Sequence, residues 1–385
     1  MTEINIFNPQ NFSRELQLLL ICMKAESEQS FENILQPWLE DVDWGLFLNL
    51  AKHHRVYPLI YMKLKNLKEG SIPLDVIQVL SQEYRKNTFQ MLHLTGEMEN
   101  IFRHLGELDI QALMLKGPVL AMDLYGDLSH RTSKDLDILV QQRDLKRTEE
   151  IILKLGYEKV AVGDHHFCYF HFKKAINIEI HWRLHPDLGI EPSFDYLWER
   201  RRITPLTSYP ICFLGRDDLF LYLVPHGARH GWFRLRWLVD IDRLVRKGLN
   251  WGYLIPQLLK FQYQHIAGQA LLLAQQILNT PFPMDIQIDS LIRGEKSYKL
   301  AHLAVFYIRE IKEPERSNLP WNEYFHDKYY YFSLLPNLRL KMSYIIRHFK
   351  PQKSDRETMP LPKSMAMLYV ILRPGLWMWR KINRV

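Results

Sequence analysis

Through the first hundred residues apolar positions recur every three or four places, and after that the period changes. From Phe12 to Lys24 (FSRELQLLLICMK) the spacing is helical. Between Phe31 and Leu67, two sets each mark one helix face: Ile34, Leu35, Trp38 and Leu39, then Leu46, Phe47 and Leu50. Pro58 is expected to end or kink the helix before it. Pro73-Leu74-Asp75 opens a long amphipathic helix running to about Leu105. His53 and His54 read as ordinary surface histidines.

At Gly106 the character changes. Ile110 to Leu115 is an apolar run of the length of a short buried strand, and Val119 to Tyr125 has a helical pattern. Between them stands Lys116-Gly117-Pro118. Strand, glycine turn and helix start together suit a phosphate, supplying free backbone N–H groups, a positive dipole end and a lysine charge. Further on, Asp135-Leu136-Asp137-Ile138-Leu139-Val140 alternates with period two. In a strand Asp135 and Asp137 share one face, while Leu136, Ile138 and Val140 share the other. Side-by-side carboxylates repel each other. A divalent cation between them removes that cost, and Mg²⁺ takes protein carboxylates together with substrate phosphates. The alternative is a surface strand with two solvated acids. Arg131, four residues before Asp135, is placed to meet either a phosphate oxygen or one of these acids.

Arg143 to Leu155 reads as a helix closed by Gly156. Tyr157 to Val162, His166 to Lys173 and Asn177 to Leu184 read as strands, the last two joined as a hairpin through Lys174-Ala175-Ile176. Alternation sets Asn177, Glu179 and His181 on one face and Ile178, Ile180 and Trp182 on the other. Glu179 is then either an exposed charge or a third carboxylate facing the Asp pair. His165, His166, His171, His181 and His185 match no zinc-binding spacing and have no paired cysteine, so zinc is not expected. A histidine or two beside a phosphate cleft fits better.

Pro186 to about Gly215 reads as a connection containing one short helix around Tyr196 to Arg201. Asp217 is expected to cap a helix over Asp218 to Arg229, followed by helices over Phe233 to Lys247, Trp251 to Leu278 and about Tyr298 to Glu313. His226 and His230, four apart, fall on one helix face, with Pro225, Gly227 and Gly231 kinking or breaking the turn. Arg236 and Asp240 have the spacing of a simple surface salt bridge.

Length and charge sharpen this picture. A chain of 385 residues favours two domains. Its 47% hydrophobic and 24% charged residues are ordinary for a globular protein. The three cysteines, Cys22, Cys168 and Cys212, form no CxxC pair, so a reducing cytosol is expected rather than a disulfide framework. No secretory signal opens the chain, and no uncharged apolar run approaches the ~20 residues of a membrane span. The net charge of +7 is uneven, since from Tyr331 onward 11 Lys and Arg stand against two Asp and Glu. The body is therefore nearly neutral, which argues against nucleic acid as a partner. In the tail, Lys341 to Lys350 is followed by a polar linker, Pro351 to Pro362, and by Ser364 to Val385 (SMAMLYVILRPGLWMWRKINRV). That last mixture of aromatics and cations either lies on an anionic membrane surface or docks on the protein's own body.

Together, Leu115-Lys116-Gly117, Tyr125, Arg131, Asp135 to Val140, Glu179-Ile180-His181-Trp182 and His226 to Asp240 (HGARHGWFRLRWLVD) resemble one family. It is the family described as uncharacterised nucleotidyltransferases, within the polymerase-beta-like nucleotidyltransferase superfamily, and the resemblance extends from about Phe12 to Leu278. It implies an α+β fold with a mixed sheet, helices packed on it, and helical regions before and after. The corresponding segments are a helical region (1–105), a catalytic core (106–215), a helical substrate-side region (216–330) and the basic tail (331–385). The resemblance also implies transfer of a nucleoside monophosphate from an NTP to a hydroxyl or phosphate acceptor, releasing pyrophosphate. Asp135, Asp137 and Glu179 would hold two Mg²⁺ or Mn²⁺ ions, with Glu179 also placed to take the acceptor's proton. Lys116, Gly117 and Arg131 would bind the nucleotide, and His181, His226, His230 and Arg236 would line the acceptor side. The partners expected are an NTP and a small-molecule, sugar, peptide or protein acceptor, with the tail as a contact to a membrane. Two other readings stay open, a catalytically silent nucleotide- or partner-binding module and an RNA-modifying, toxin-like enzyme.

Overall fold

The computed structural model describes residues 12–24, 33–68, 70–186, 189–283, 286–310, 320–351, 353–362, 365 and 367–382. The expected helix start at Phe31 and the ends at Glu313 and Val385 lie outside these residues. The chain divides into two compact units, residues 1–186 with 190–313, and residues 187–189 with 314–385.

A mixed sheet of seven strands organises the first unit. The strands are β1 (Ala112–Met114), β2 (Asp135–Val140), β3 (Glu158–Val162), β4 (His166–His171), β5 (Ile176–His181), β6 (Arg202–Thr204) and β7 (Ile211–Phe213), ordered β3-β4-β5-β2-β1-β7-β6. β2 is parallel to β5 and β1 to β7, while the remaining neighbours are antiparallel. β6 and β7 fall in the stretch whose pattern suggests only a connection and one helix. Three residues each are too few to display a period of two.

Alternation sends Leu136, Ile138 and Val140 of β2, with Ile176, Ile178 and Ile180 of β5, into one core. That face is covered by a helix of 33 residues, Leu74–Gly106, whose Met91, Leu94, Met98, Ile101 and Leu105 recur at helical spacing. Within this helix the buried Glu97 accepts from Tyr157 Oη at 2.9 Å and Lys174 Nζ at 2.7 Å, which ties it to the β4–β5 hairpin. Numbered in chain order, the helices before the sheet are α1 (Arg14–Lys24), α2 (Trp44–His53), α3 (Tyr57–Leu64) and this long α4. Pro58 sits in the first turn of α3, where its missing N–H costs nothing, and does not end α2. Beyond α2 the chain turns instead because Arg55 is left-handed, at φ 56°.

Within and after the sheet come α5 (Pro118–Tyr125), α6 (Leu145–Lys154), α7 (Phe194–Glu199), α8 (Arg216–Arg229), α9 (Leu235–Arg246), α10 (Trp251–Lys260), α11 (Gln264–Leu278), α12 (Ile286–Arg293) and α13 (Glu295–Arg309). α8 is capped by Gly215, and Asp217 lies in its first turn accepting from the Asn250 N–H at 2.9 Å. The helical stretch from Trp251 is two helices, because Gln262 at φ 60° reverses the chain and Tyr263 N–H closes onto Leu258 O at 2.8 Å. His54 proves buried. Its carbonyl accepts from Arg236 N–H at 3.2 Å and its Nδ1 from Leu235 N–H at 3.4 Å, serving the first turn of α9. Burial pushes the imidazole down to about 3, so it stays the neutral acceptor this cap needs.

α8 passes through Pro225 unbroken and stops where Gly231 and Trp232 turn left-handed, with Trp232 N–H bonded to Gly227 O at 3.0 Å. The fully buried Trp232 ring then lies on Gly227, so closely that a Cβ there would meet it at 2.2 Å.

The second unit consists of α14 (Trp321–Leu334), α15 (Leu338–Phe349), α16 (Lys353–Thr358) and α17 (Leu368–Ile382). α16 falls within the stretch that reads as a linker. Its fully buried Asp355 accepts from Arg380 Nη2 at 2.6 Å, and Tyr369 Oη bonds Met359 O at 2.8 Å. Trp377 packs on Trp321 and Tyr324 of α14, with ring centres 5.3 and 4.8 Å away. α17 is thus docked within its own unit. Among the described residues, no helix is long and apolar enough to cross a membrane.

Gly227→Ala should force the Trp232 turn outward and cost about 1–3 kcal/mol by overpacking. Urea unfolding would show this as a lower midpoint with an unchanged slope.

Candidate active site

Strand register builds the site. In the parallel β2–β5 pair Asp137 is level with Glu179, and on the other side Cys168 of β4 is level with Glu179. The polar face expected from alternation is therefore one row across three strands, with His181 and His166 paired in the next row. Ligand atoms of Asp137, Glu179 and His181 lie within 4.8 Å of one another. Asp135, one pleat earlier on the same face, borders the cleft above them.

Asp137 is buried, and neither of its oxygens has a hydrogen bond of good geometry. Its charge is met by Lys116 Nζ at 2.9 Å and His181 Nε2 at 3.4 Å. Burial would raise the carboxyl, but Lys116 and His181 outweigh it and hold it well below the usual carboxylate range. Asp135 shifts the other way, pushed up by burial and by the charge of Asp137. Burial would lower His181, yet its place between Asp137 and Glu179 raises it, with Glu179 Oε2 3.2 Å from Nε2. The donor set suits a divalent cation: a buried carboxylate, a second carboxylate level with it, and an ammonium against the first in the cation's stead.

Lys116 is delivered by the end of β1. Leu115 N–H continues the ladder to Asp137 O at 2.9 Å, and the next residue turns toward the acids. Gly117 follows with φ 78°, ψ −143° as the residue before α5, where a Cβ would meet Met114 Cε at 3.0 Å. Burial would lower Lys116, but Asp137, Tyr222, Asp135 and Glu179 together raise it, so it remains an ammonium.

Arg131 departs from its expected roles. It reaches neither Asp135 nor Asp137, and its guanidinium is committed to Asp240 of α9, with Nε to Oδ1 and Nη2 to Oδ2 each at 2.9 Å. Tyr125 Oη joins Oδ1 at 2.7 Å. The reason is electrostatic, since a fully buried carboxylate must have a counter-charge. Arg236 and Asp240 are accordingly no surface salt bridge. Arg236 is 7% exposed, donates to Thr132 O and, at 3.1 Å, to Thr132 Oγ1, and leaves its Nε without a partner. Burial and the neighbouring Arg131 pull its guanidinium down to about 10.

Arg236 lines a cleft of about 360 Å³ together with Lys116, Asp135, Glu179, His181, His226 and His230. Burial keeps His226 far below its ordinary value and takes His230 down to about 3, so both are neutral. Trp237 stacks on His230 with ring centres 5.1 Å apart and meets His226 edge-on at 5.4 Å. The same wall holds residues that pattern did not single out: Arg55, Arg229, Arg234, Ser133 and Tyr222. His165 and His166 are there too, and with His181 their ring nitrogens fall within 4.8 Å of one another. Sequence spacing argued against zinc and for a histidine or two beside the cleft, but spacing does not report the cross-strand register that gathers three.

A mixed sheet carrying paired acids and flanked by helices is the α+β architecture of a nucleotidyltransferase. Residues 40–279 match the family model for uncharacterised nucleotidyltransferases, and the chain belongs to that family. No curated protein and no solved structure matches it.

Asp240→Asn would leave Arg131 buried without a counter-charge, with Arg236 already beside it. We expect a loss of about 3–5 kcal/mol in chemical unfolding. A loss below about 1 kcal/mol would mean the pair does not hold this region together.

Proposed function

We propose that the protein transfers a nucleoside monophosphate from an NTP to a hydroxyl or phosphate acceptor, in a metal-dependent reaction that releases pyrophosphate. The reading is carried by one observation. Asp137, Glu179 and His181 converge beneath a cleft whose wall presents buried Arg236 without a carboxylate partner among the described residues.

In the reaction an acceptor oxygen bonds to the α-phosphorus as the bond from that phosphorus to the β-phosphate oxygen breaks. Asp135, Asp137 and Glu179 would hold Mg²⁺ or Mn²⁺. Two such ions, when bound, stabilise the attacking and leaving oxygens of an in-line displacement. Glu179, the more open of the level pair with a side chain 29% exposed, receives the acceptor's proton. Lys116, the backbone around Gly117, and Arg236 neutralise the donor phosphates. His181, His226 and His230, with Trp237, shape the acceptor side and keep water out. Arg131 serves by fixing α9, and hence Arg236, against the loop before β2.

Incubating the protein with each radiolabelled NTP, Mg²⁺ or Mn²⁺, and cell extract tests this directly. Label should pass to an acceptor with one donor preferred, and Asp137→Asn should reduce transfer about a hundredfold or more while leaving the protein folded. Transfer retained in the folded variant overturns the assignment. Tight NTP binding without pyrophosphate release would instead identify a silent binding module.

A further inference from the structure

The cleft is lined by many cations and by only two carboxylates among the described residues, Asp135 and Glu179. Six cations line the same cleft, namely Lys116, Arg229, Arg236, Arg55, Arg234 and Arg131, the last already neutralised by Asp240. A second cavity, of about 450 Å³, shares Arg55, Ser133 and Arg234 with the first and adds Lys134. Its only carboxylate among the lining residues, Glu83, already meets two lysines, Lys52 at 3.4 Å and Lys86 at 3.3 Å. Neither Arg55 nor Lys134 makes an ion pair with a described residue. Arg55 is held left-handed at φ 56°, a conformation that persists only where its surroundings enforce it. The wall between the cavities, Thr132 to Lys134, runs directly into Asp135, and Ser133 Oγ donates to Asp135 O at 3.2 Å.

We propose that the acceptor is itself phosphorylated, and that Arg55 and Lys134 hold its phosphate at the junction of the two cavities while its hydroxyl reaches past Asp135 to Glu179. This rests on the nucleotidyl-transfer reading above. A phosphate monoester brings about two negative charges, which suit two cations that have no ion pair with a described residue. Lys134 lines the second cavity and not the first, while Lys116 lines the first and not the second, so the donor's phosphate lysine is not part of the anchor.

The test is calorimetric titration of glycerol 1-phosphate, against glycerol as control, into protein saturated with a non-hydrolysable NTP analogue and Mg²⁺. Glycerol phosphate should bind one site and glycerol none. The double variant Arg55→Gln, Lys134→Gln should weaken that binding at least tenfold and change analogue affinity less than twofold. If glycerol phosphate fails to bind the nucleotide-loaded protein, or binds the double variant as well as the parent, the proposal is overturned. Glycerol phosphate that binds, and is lost in the variant, in a protein that takes no nucleotide would sink the donor assignment and leave the anion site standing.

A different observation supports a second inference, about the smaller unit. On α15, Leu338, Met342, Ile345, Ile346 and Phe349 form a stripe at helical spacing, exposed by 38 to 73%. Met367, just before α17, and Ile371 and Met378 on it are likewise exposed. Monomeric proteins rarely leave such stripes in water. Exposed Arg339 and Lys350 flank the first, in a segment with 11 basic and two acidic residues from Tyr331 onward. Apolar stripe and cations together match an anionic bilayer interface, with the helices lying in the surface. We infer that this unit docks on anionic phospholipid.

Vesicles of phosphatidylcholine with about 30% phosphatidylglycerol should sediment the protein, less so at high salt, and pure phosphatidylcholine should not. Ile345→Glu with Ile346→Glu, both on the exposed face, should abolish sedimentation without lowering the melting temperature. Failure to sediment overturns the inference. So does a dimer in solution that the same double variant dissociates, because a second copy would then cover the stripe.

Discussion

Burying a carboxylate creates an obligation, and the way Asp137 meets it arranges the centre of this protein. Its backbone belongs to a strand whose other face fills the core, so the acid cannot move to water without breaking the sheet. Positive charge must come to it. Lys116 arrives from the end of β1 because the β1–β2 ladder runs one residue beyond the strand, and His181 arrives from β5 because the two strands are parallel and level. Neither partner satisfies the acid with a well-formed hydrogen bond. The site is neutralised without being closed.

Asp240 shows what a closed arrangement looks like. It is just as buried, yet it receives two guanidinium contacts and a phenol hydroxyl, all between 2.7 and 2.9 Å. That triad joins α5, the loop before β2 and α9, and it has no valence left for a ligand. Arg236, one helical turn before Asp240, is excluded from the triad and left facing the cleft. The contrast separates scaffold from site. Complete ion pairs fix the elements, and incomplete ones mark where charge is expected from outside.

How legible this was in sequence depended on the range of each interaction. The DLDILV and NIEIHW alternations set face and burial locally, putting Asp135 with Asp137 and Glu179 with His181, but whether Glu179 faced the Asp pair was decided only by the parallel β2–β5 register. The same rule failed where partners are far apart in the chain. Four-residue spacing suggested Arg236 with Asp240, but the partner that wins is Arg131, 109 residues away. His54 looked like a surface histidine because nothing nearby announces that it caps α9, 181 residues on. His165 and His166 fit no zinc spacing, yet β4–β5 pairing sets His166 beside His181. In the tail the charge excess was plain from composition, while the burial of Asp355 beneath Arg380 depends on contacts that no periodicity encodes.

On the proposed reading, the open state of Asp137 also links its two ligands. Lys116 is held against the acid now, by attraction that exceeds the cost of its own burial. When Asp137 turns its charge to a metal, that attraction weakens, and the ammonium is left buried beside the start of α5. The negative charge then nearest in kind is a donor phosphate. Lys116 therefore favours nucleotide more strongly once metal is bound, and by linkage the nucleotide favours metal equally. The coupling needs no moving domain. It requires only one lysine that cannot leave and one carboxylate that can change partners.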